Sequence, residues 1–216
     1  LANPRLSLID DSSRGDHHHL TPADNCYYLY EYTSGRNYSF SVTNNLISNL
    51  KKKPSQSGQP GYNYKARAIR SSAAALAQAL NAGWLASATL VPVPGSKAAG
   101  HPDADDRMVR ICRLMSNPPP DVRALVTQAE STTASHEAGQ GERVSVEELL
   151  ELYAIDEACV EPAPTSIAIV DDVLTAGTHY RAMHTILSER FPDVPIIGLF
   201  VARRVFPDDP IDFDDL

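Results

Sequence analysis

The hydrophobic pattern changes period repeatedly along this chain. Cys26–Thr33 (CYYLYEYT) is dense in β-favouring aromatics and predicts a strand, closed by Ser34-Gly35. Val42, Leu46, Ile47 and Leu50 then recur at helical spacing, which predicts a short amphipathic helix over 41–50. Pro54–Gly61 reads as a loop. Ile69, Ala73, Leu76 and Leu80 line one face of an Ala-rich helix over 64–80. Thr89–Pro94 is a short apolar strand running into a Pro/Gly loop. A helix over 103–115 follows, turning Met108, Ile111, Cys112 and Met115 inward, and Pro118-Pro119-Pro120 ends it.

Residues 121–128 predict a further strand, and 129–143 form a polar, aperiodic loop. Ser145 with Glu148 three residues on makes a capping box that opens a helix. Ser166–Val170 is wholly apolar, as in a strand covered on both faces. A helix over 177–190 and a strand over 194–202 complete the series. Strands alternating with helices predict the α/β class, with a parallel sheet flanked by helices. Residues 1–20 read as a flexible lead-in, 21–207 as one domain, and 208–216 as a frayed acidic tail.

Charge narrows the function. The 216 residues hold 19 Lys and Arg against 27 Asp and Glu, a net charge of −8, which argues against direct nucleic-acid binding as the main task. The one basic cluster, Lys51-Lys52-Lys53, has two readings: contact with an anionic substrate or nucleic acid or, by default, a solvated helix end. No apolar run approaches the roughly 18 residues of a membrane span, so no membrane role is expected. Three scattered cysteines (Cys26, Cys112, Cys159) fit free thiols in a reducing cytoplasm.

The stretch richest in chemistry is Ile167–Thr178 (IAIVDDVLTAGT). A buried strand reaches the paired acids Asp171 and Asp172, and a turn of small and hydroxylic residues opens a helix. Ligands of open α/β sheets bind at such carboxyl ends. Backbone N–H groups over 174–178, with the helix N-terminus, make a phosphate cradle to which Thr175 and Thr178 add hydroxyls and Gly177 close approach. The acids suit sugar hydroxyls or a metal beside that phosphate, so a phosphorylated sugar is the expected ligand. Walker A and G-x-G-x-x-G spacings are absent.

Residues 167–178 resemble the 5-phosphoribosyl-1-pyrophosphate (PRPP) binding loop of type I phosphoribosyltransferases, particularly that of orotate phosphoribosyltransferases. Leu50–Pro94, with its LKKK segment, Tyr64-Lys-Ala-Arg67 helix start and Val91-Pro-Val-Pro94, resembles the layout of ComF-type proteins of the same fold. The resemblance implies a parallel sheet with a small variable hood over the site, the hood lying at about 21–60. It implies that Asp171 and Asp172 hold the ribose hydroxyls directly or through Mg²⁺. Val173, Leu174, Thr175, Ala176, Gly177 and Thr178 would form the loop around the 5-phosphate. Pro94, Gly95, Ser96 and Lys97 would form the pyrophosphate loop, and 135–143, with His136 and Arg143, the lid.

Cleavage at the sugar's anomeric carbon builds positive charge on the ring, while the leaving pyrophosphate needs Mg²⁺ and cations such as Lys97 and Arg107. Asp172 or His136 is the candidate general base. Two functions follow. One is a Mg²⁺-dependent transferase in nucleotide metabolism that joins PRPP to an unidentified nitrogenous base and releases pyrophosphate. The other is a non-catalytic PRPP- or nucleotide-binding regulator of ComF-like type, associated with DNA processing. The resemblance also implies a homodimer.

The remaining polar residues carry blander expectations. His17-His18-His19 reads as solvated loop. His179 and His184 are five residues apart and share no helix face, so no metal site is expected of them. Tyr27, Tyr28, Tyr30 and Tyr32 are chiefly strand packing. Arg203 and Arg204, placed just after the last strand, are candidates for ligand contact.

Overall fold

The computed structural model describes residues 4–98, 100–128 and 144–207. Its six-stranded sheet contains β1 (Ser7–Leu8), β2 (Cys26–Thr33), β3 (Thr89–Pro92), β4 (Asp121–Val122), β7 (Ile167–Leu174) and β8 (Ile196–Val205), in the order β1-β2-β8-β7-β3-β4. All neighbours pair in parallel except β1, which runs antiparallel to β2 at one edge. A separate antiparallel pair joins β5 (Val126–Gln128) to β6 (Tyr153–Ile155). The chain is therefore α/β, with a mostly parallel mixed sheet flanked by helices. Among the described residues, no helix is long and apolar enough to cross a membrane.

The apolar strands dictate two cores. Ile167 and Ile169 of β7 face α5 (Val146–Leu152) and α6 (Thr178–Arg190), while Ala168 and Val170 face α1 (Val42–Leu50), α2 (Asn63–Ala79) and α4 (Arg107–Arg113). A short α3 (Ala82–Ser87) adds Leu85 to the second core. With both faces covered, β7 and β8 need apolar residues at nearly every position, hence the unbroken run read in the sequence.

Local signals placed several elements well. Ser41 caps α1 through its hydroxyl, which accepts from the Asn44 N–H at 3.0 Å. Ser145 and Glu148 close the anticipated box at α5. Four expectations need correction. Residues 4–20 are docked rather than loose: Ile9 donates its N–H to Cys26 at 2.9 Å, and Ile9, His17 and Leu20 are buried. Cys26–Thr33, assigned to a hood, is a core strand paired with β8. The helix expected over 103–115 starts at Arg107, because Asp105 is drawn into ion pairs. Arg203 and Arg204 lie within β8, Arg203 paired with Glu31 and Arg204 donating to the Asp16 carbonyl, so neither lines the site.

The strand order opens a crevice in the sheet. From β3 the chain crosses through α4 to β4 on one side, whereas from β7 it crosses through α6 to β8 on the other. The helices lie on opposite faces, so the segments leaving β3 and β7 diverge and open a crevice between them. This is the topological switch point at which open α/β sheets bind ligands.

Gly198 of β8 shows how tightly the first core is packed. A Cβ there would sit 2.7 Å from Phe200 Cε2 and 2.8 Å from Cys26 Sγ. Gly198→Ala is expected to lower the unfolding free energy by about 1–3 kcal/mol through overpacking. A urea titration reads this directly, and an unchanged midpoint would contradict the packing.

Candidate functional site

The crevice between β3 and β7 holds a pocket of about 100 Å³ lined by Pro94, Gly95 and Ser96 after β3, Lys51 after α1, Asp105 and Arg107 at α4, and Asp171, Asp172, Thr175 and His179 from β7 and α6. The two segments singled out for chemistry thus meet in one site. An adjoining cleft of about 300 Å³ shares Val93, Pro94, Gly95, Asp105 and Met108, and is lined besides by Val109, Val126, Gln128 and Lys97. Lys97 faces this second cleft rather than the acids. His136 and Arg143, with the lid assigned to 135–143, lie outside the described residues.

The acids do not end outside the sheet as expected. β7 continues through Asp171 and Asp172 to Leu174, so the pair sits inside a strand. Leu174 and most of Val173 are core, which shortens the turn expected to bind phosphate to 175–178. Consecutive strand residues point apart, and the acids accordingly diverge. Asp172 is 3% exposed and faces α1 and α4. Arg107 Nε donates to its Oδ2 at 2.9 Å, with the same guanidinium's Nη2 at 2.8 Å, and Lys51 Nζ lies 3.5 Å from Oδ1. Asp171 Oδ1 accepts the Asp172 N–H at 2.7 Å.

Behind Arg107 the chain of charges continues inward. Arg107 Nη1 reaches Asp105 Oδ2 at 2.9 Å, and the same oxygen accepts from Lys65 Nζ at 2.7 Å. Lys65, 2% exposed, spends its other two protons on the carbonyls of Leu50 at 2.6 Å and Lys52 at 2.8 Å. All three ammonium donors are satisfied, the condition under which a buried lysine is tolerated. Burial pulls its pKa down, and the Asp105 hydrogen bond and charge oppose that.

These surroundings push the two acids in opposite directions. Burial raises the Asp172 carboxyl, but Lys51 and Arg107 outweigh it and hold the group well below the usual range. Burial, and then the Asp172 charge, push Asp171 up. One acid is thus committed to the protein's own cations, while the other is poised to gain or lose a proton. Such divergence within one crevice makes it the candidate functional site.

His179 is the residue that spacing arguments missed. As the second residue of α6 it reaches the pocket, with Nδ1 2.8 Å from the Tyr153 hydroxyl. Burial pushes its pKa down to about 4, so the imidazole is neutral at physiological pH. The signal available was its place directly after the T-A-G-T turn, where a helix-opening side chain borders whatever the turn binds.

The turn itself is open to an anion. Gly177 caps α6 with φ of 91°, and no side chain caps the helix. Among the hydrogen bonds of the described residues, the N–H groups of 175–180 donate to none outside the regular elements. A helix N-terminus without a cap leaves N–H donors and a partial positive charge for a ligand. The opposite side of the turn is held by the N-terminal segment. His17 Nδ1 donates to the Thr175 carbonyl, and His19 N–H donates to the Ala176 carbonyl at 3.0 Å. His17 is fully buried, not solvated as expected. A Cβ on Gly177 would meet Leu20 at 3.3 Å, in a backbone conformation that already favours glycine.

Asp172→Asn would leave Arg107 and Lys51 without their counter-charge, an expected loss of about 3–5 kcal/mol at neutral pH. The folded pKa of Asp172 lies below its unfolded value, so its stabilisation is present above the ordinary carboxylate range and is lost as pH falls through the depressed value. Denaturant unfolding of both proteins from pH 7 downward should give a constant gap that narrows in acid. A gap that widens on acidification would contradict the assignment.

Compared with protein-family models and with curated proteins, the sequence matches none.

Proposed function

We propose that the chain binds PRPP in the β3/β7 crevice and transfers its phosphoribosyl group to a nitrogenous acceptor, on a fold of the type I phosphoribosyltransferase kind. The observation that carries this reading is the uncapped α6 N-terminus beside Asp171 and facing the Pro94–Ser96 loop across the switch point. A 5-phosphate fits the N–H groups and hydroxyls of 175–178. The ribose hydroxyls fit Asp171, whose carboxylate is not paired with Lys51 or Arg107. The pyrophosphate fits Gly95, Ser96 and the cations Lys51 and Arg107, which oppose the charge that builds on the leaving group.

Both acids carry the sequence assignment to Mg²⁺, but Asp172 has each oxygen facing a cation, leaving Asp171 as the donor. No group of three His, Cys, Asp or Glu among the described residues is set to hold a metal. A donor set of one carboxylate fits Mg²⁺ that keeps water and takes substrate oxygens, and bound there it would neutralise pyrophosphate charge. Of the two proposed bases, Asp172 is engaged and His136 lies outside the described residues; neutral His179, which lines the pocket, is the further candidate to accept the acceptor's proton. The adjoining cleft, walled by Val93, Met108, Val109 and Val126 with the Gln128 amide, suits a flat heterocycle. A homodimer in the cytoplasm belongs to the same reading. Binding without transfer, the regulatory alternative, is favoured by one observation: the ion-paired state of Asp172 is already complete without a ligand.

Calorimetric titration of PRPP with and without Mg²⁺, followed by pyrophosphate release over a panel of bases, tests both. Base-dependent release supports transfer, binding without release supports the regulator, and no binding removes both. Asp171→Asn should weaken PRPP by roughly 10–100-fold, the loss of a charge-assisted contact of about 1.5–3 kcal/mol, without lowering Tm. Because the ionised carboxylate is the binding form, affinity should climb as pH rises through the raised Asp171 range and level off above it. Titrations in two buffers of different ionisation enthalpy should register the released proton.

A further inference from the structure

The net charge of −8 conceals a segregation. Residues 32–102 contain no Asp or Glu and carry eight Lys and Arg, whereas 208–216 hold five Asp with Ile211, Phe213 and Leu216 between them. The acid-free stretch contributes α1, α2 and the loop before them. Its outer surface exposes Tyr38, Phe40, Val42 and Tyr64, four of the seven large hydrophobics exposed among the described residues.

Cations accompany these rings: Arg36 lies 5.6 Å from the Phe40 centroid, while Lys52 and Arg67 lie 5.3 and 5.5 Å from that of Tyr64. Tyr38, Asn45, Ser48, Asn49, Lys52 and Tyr64 line a cleft of about 310 Å³ on this surface. It is separate from the candidate active site, because Lys51 turns to Asp172 while Lys52 turns to Tyr64 and the Gly61 carbonyl. The carboxylates that approach from other elements are at its margin: Asp103 accepts the Ser55 N–H, and Asp105 and Asp106 influence Tyr62.

The route of the chain points to an occupant. Val205, the last residue of β8, pairs with Thr33, and Ser34 donates its N–H to the Val205 carbonyl at 2.9 Å. Asn44 of α1 ties the same corner together, bonding the backbone of Thr33 and Arg36. The chain therefore leaves the sheet at the mouth of the basic, aromatic face. Residues 208–216 span up to about 30 Å when extended, ample to run along α1, whose nine residues extend about 13 Å. Alternating Asp with Ile, Phe and Leu complements a face of cations, amides and rings.

We propose that the acidic segment 208–216 docks in cis along the α1–α2 face, in the cleft between Tyr38 and Tyr64. The docking is independent of the transfer reading. Carbodiimide coupling of the full chain, mixed with isotope-labelled chain and read by mass spectrometry, tests it. The expected product joins Lys52 or Lys53 to an Asp within 208–215 of the same chain. Its yield should drop several-fold in about 0.5 M NaCl, since exposed charges are screened. Arg36→Ser with Arg67→Ser, both exposed, should reduce the yield with Tm unchanged; an undiminished yield in that folded variant would overturn the charge pairing.

Absence of the link would overturn the proposal. Links found only between labelled and unlabelled chains would assign the face to a second copy. A thymidine or uridine homo-oligonucleotide of about 20 residues is the competing occupant, since single strands stack on exposed aromatics beside cations. Tight binding of that oligonucleotide by the unmodified chain, with loss of the link, would give the face to nucleic acid instead.

Discussion

The architecture of the crevice depends on a single buried line of charge, Lys65–Asp105–Arg107–Asp172, with Lys51 closing its outer end. Each member comes from or flanks a different element: α2, the approach to α4, α4 itself, β7, and the end of α1. Desolvating so many charges is costly, and a buried pair is often no more stabilising than an apolar one of similar shape. What the line supplies is position. Lys65 gathers the carbonyl of Leu50, the last residue of α1, and that of Lys52 just beyond it, Arg107 is held between two carboxylates, and Asp172 is fixed on the face opposite Asp171. Removing any one charge leaves the next uncompensated, so the network behaves as one unit.

Legibility followed the range of the interaction. β2 runs over the eight residues that the aromatic pattern marked, and the cap of α5 was visible because Ser145 and Glu148 lie three residues apart. The 167–178 turn could be read because strand, acids, glycine and helix are contiguous. Lys65 and Asp105, by contrast, are 40 residues apart, and Arg107 and Asp172 are 65 apart. No local pattern distinguishes a lysine that will be buried by α1 carbonyls from a solvated one, and strand order has no signature in periodicity. The triple Lys run illustrates the limit: three identical neighbours were read as one unit, yet Lys51 and Lys52 serve different surfaces.

The N-terminal segment shows why composition alone misjudges order. Residues 4–20 are polar and turn-rich, but they pack because their partners are the sheet edge and the back of the 175–177 turn, neither visible locally. Asp24 reinforces the attachment by accepting from Thr21 N–H at 2.6 Å and pairing with Arg181 of α6. The 175–177 turn is thereby held from behind by carbonyl contacts to His17 and His19, which leaves its N–H groups directed elsewhere. A turn anchored on its carbonyl side keeps the orientation of its N–H groups fixed by the fold itself.

The pairing of β2 with β8 has a consequence for biosynthesis. Thr33 and Val205 meet across 172 positions of sequence, and among the described residues the two-residue β1 is the one other partner of β2. At ribosomal speeds of about 5–20 residues per second, the aromatic strand waits roughly 10–35 s for its neighbour to be made. During that interval Tyr27, Leu29 and Tyr30 lack their sheet, and the chain presents an unsatisfied strand edge of the kind chaperones recognise. The βαβ unit β7-α6-β8 must therefore form before β2 can settle, so that a strand made early is among the last to be secured.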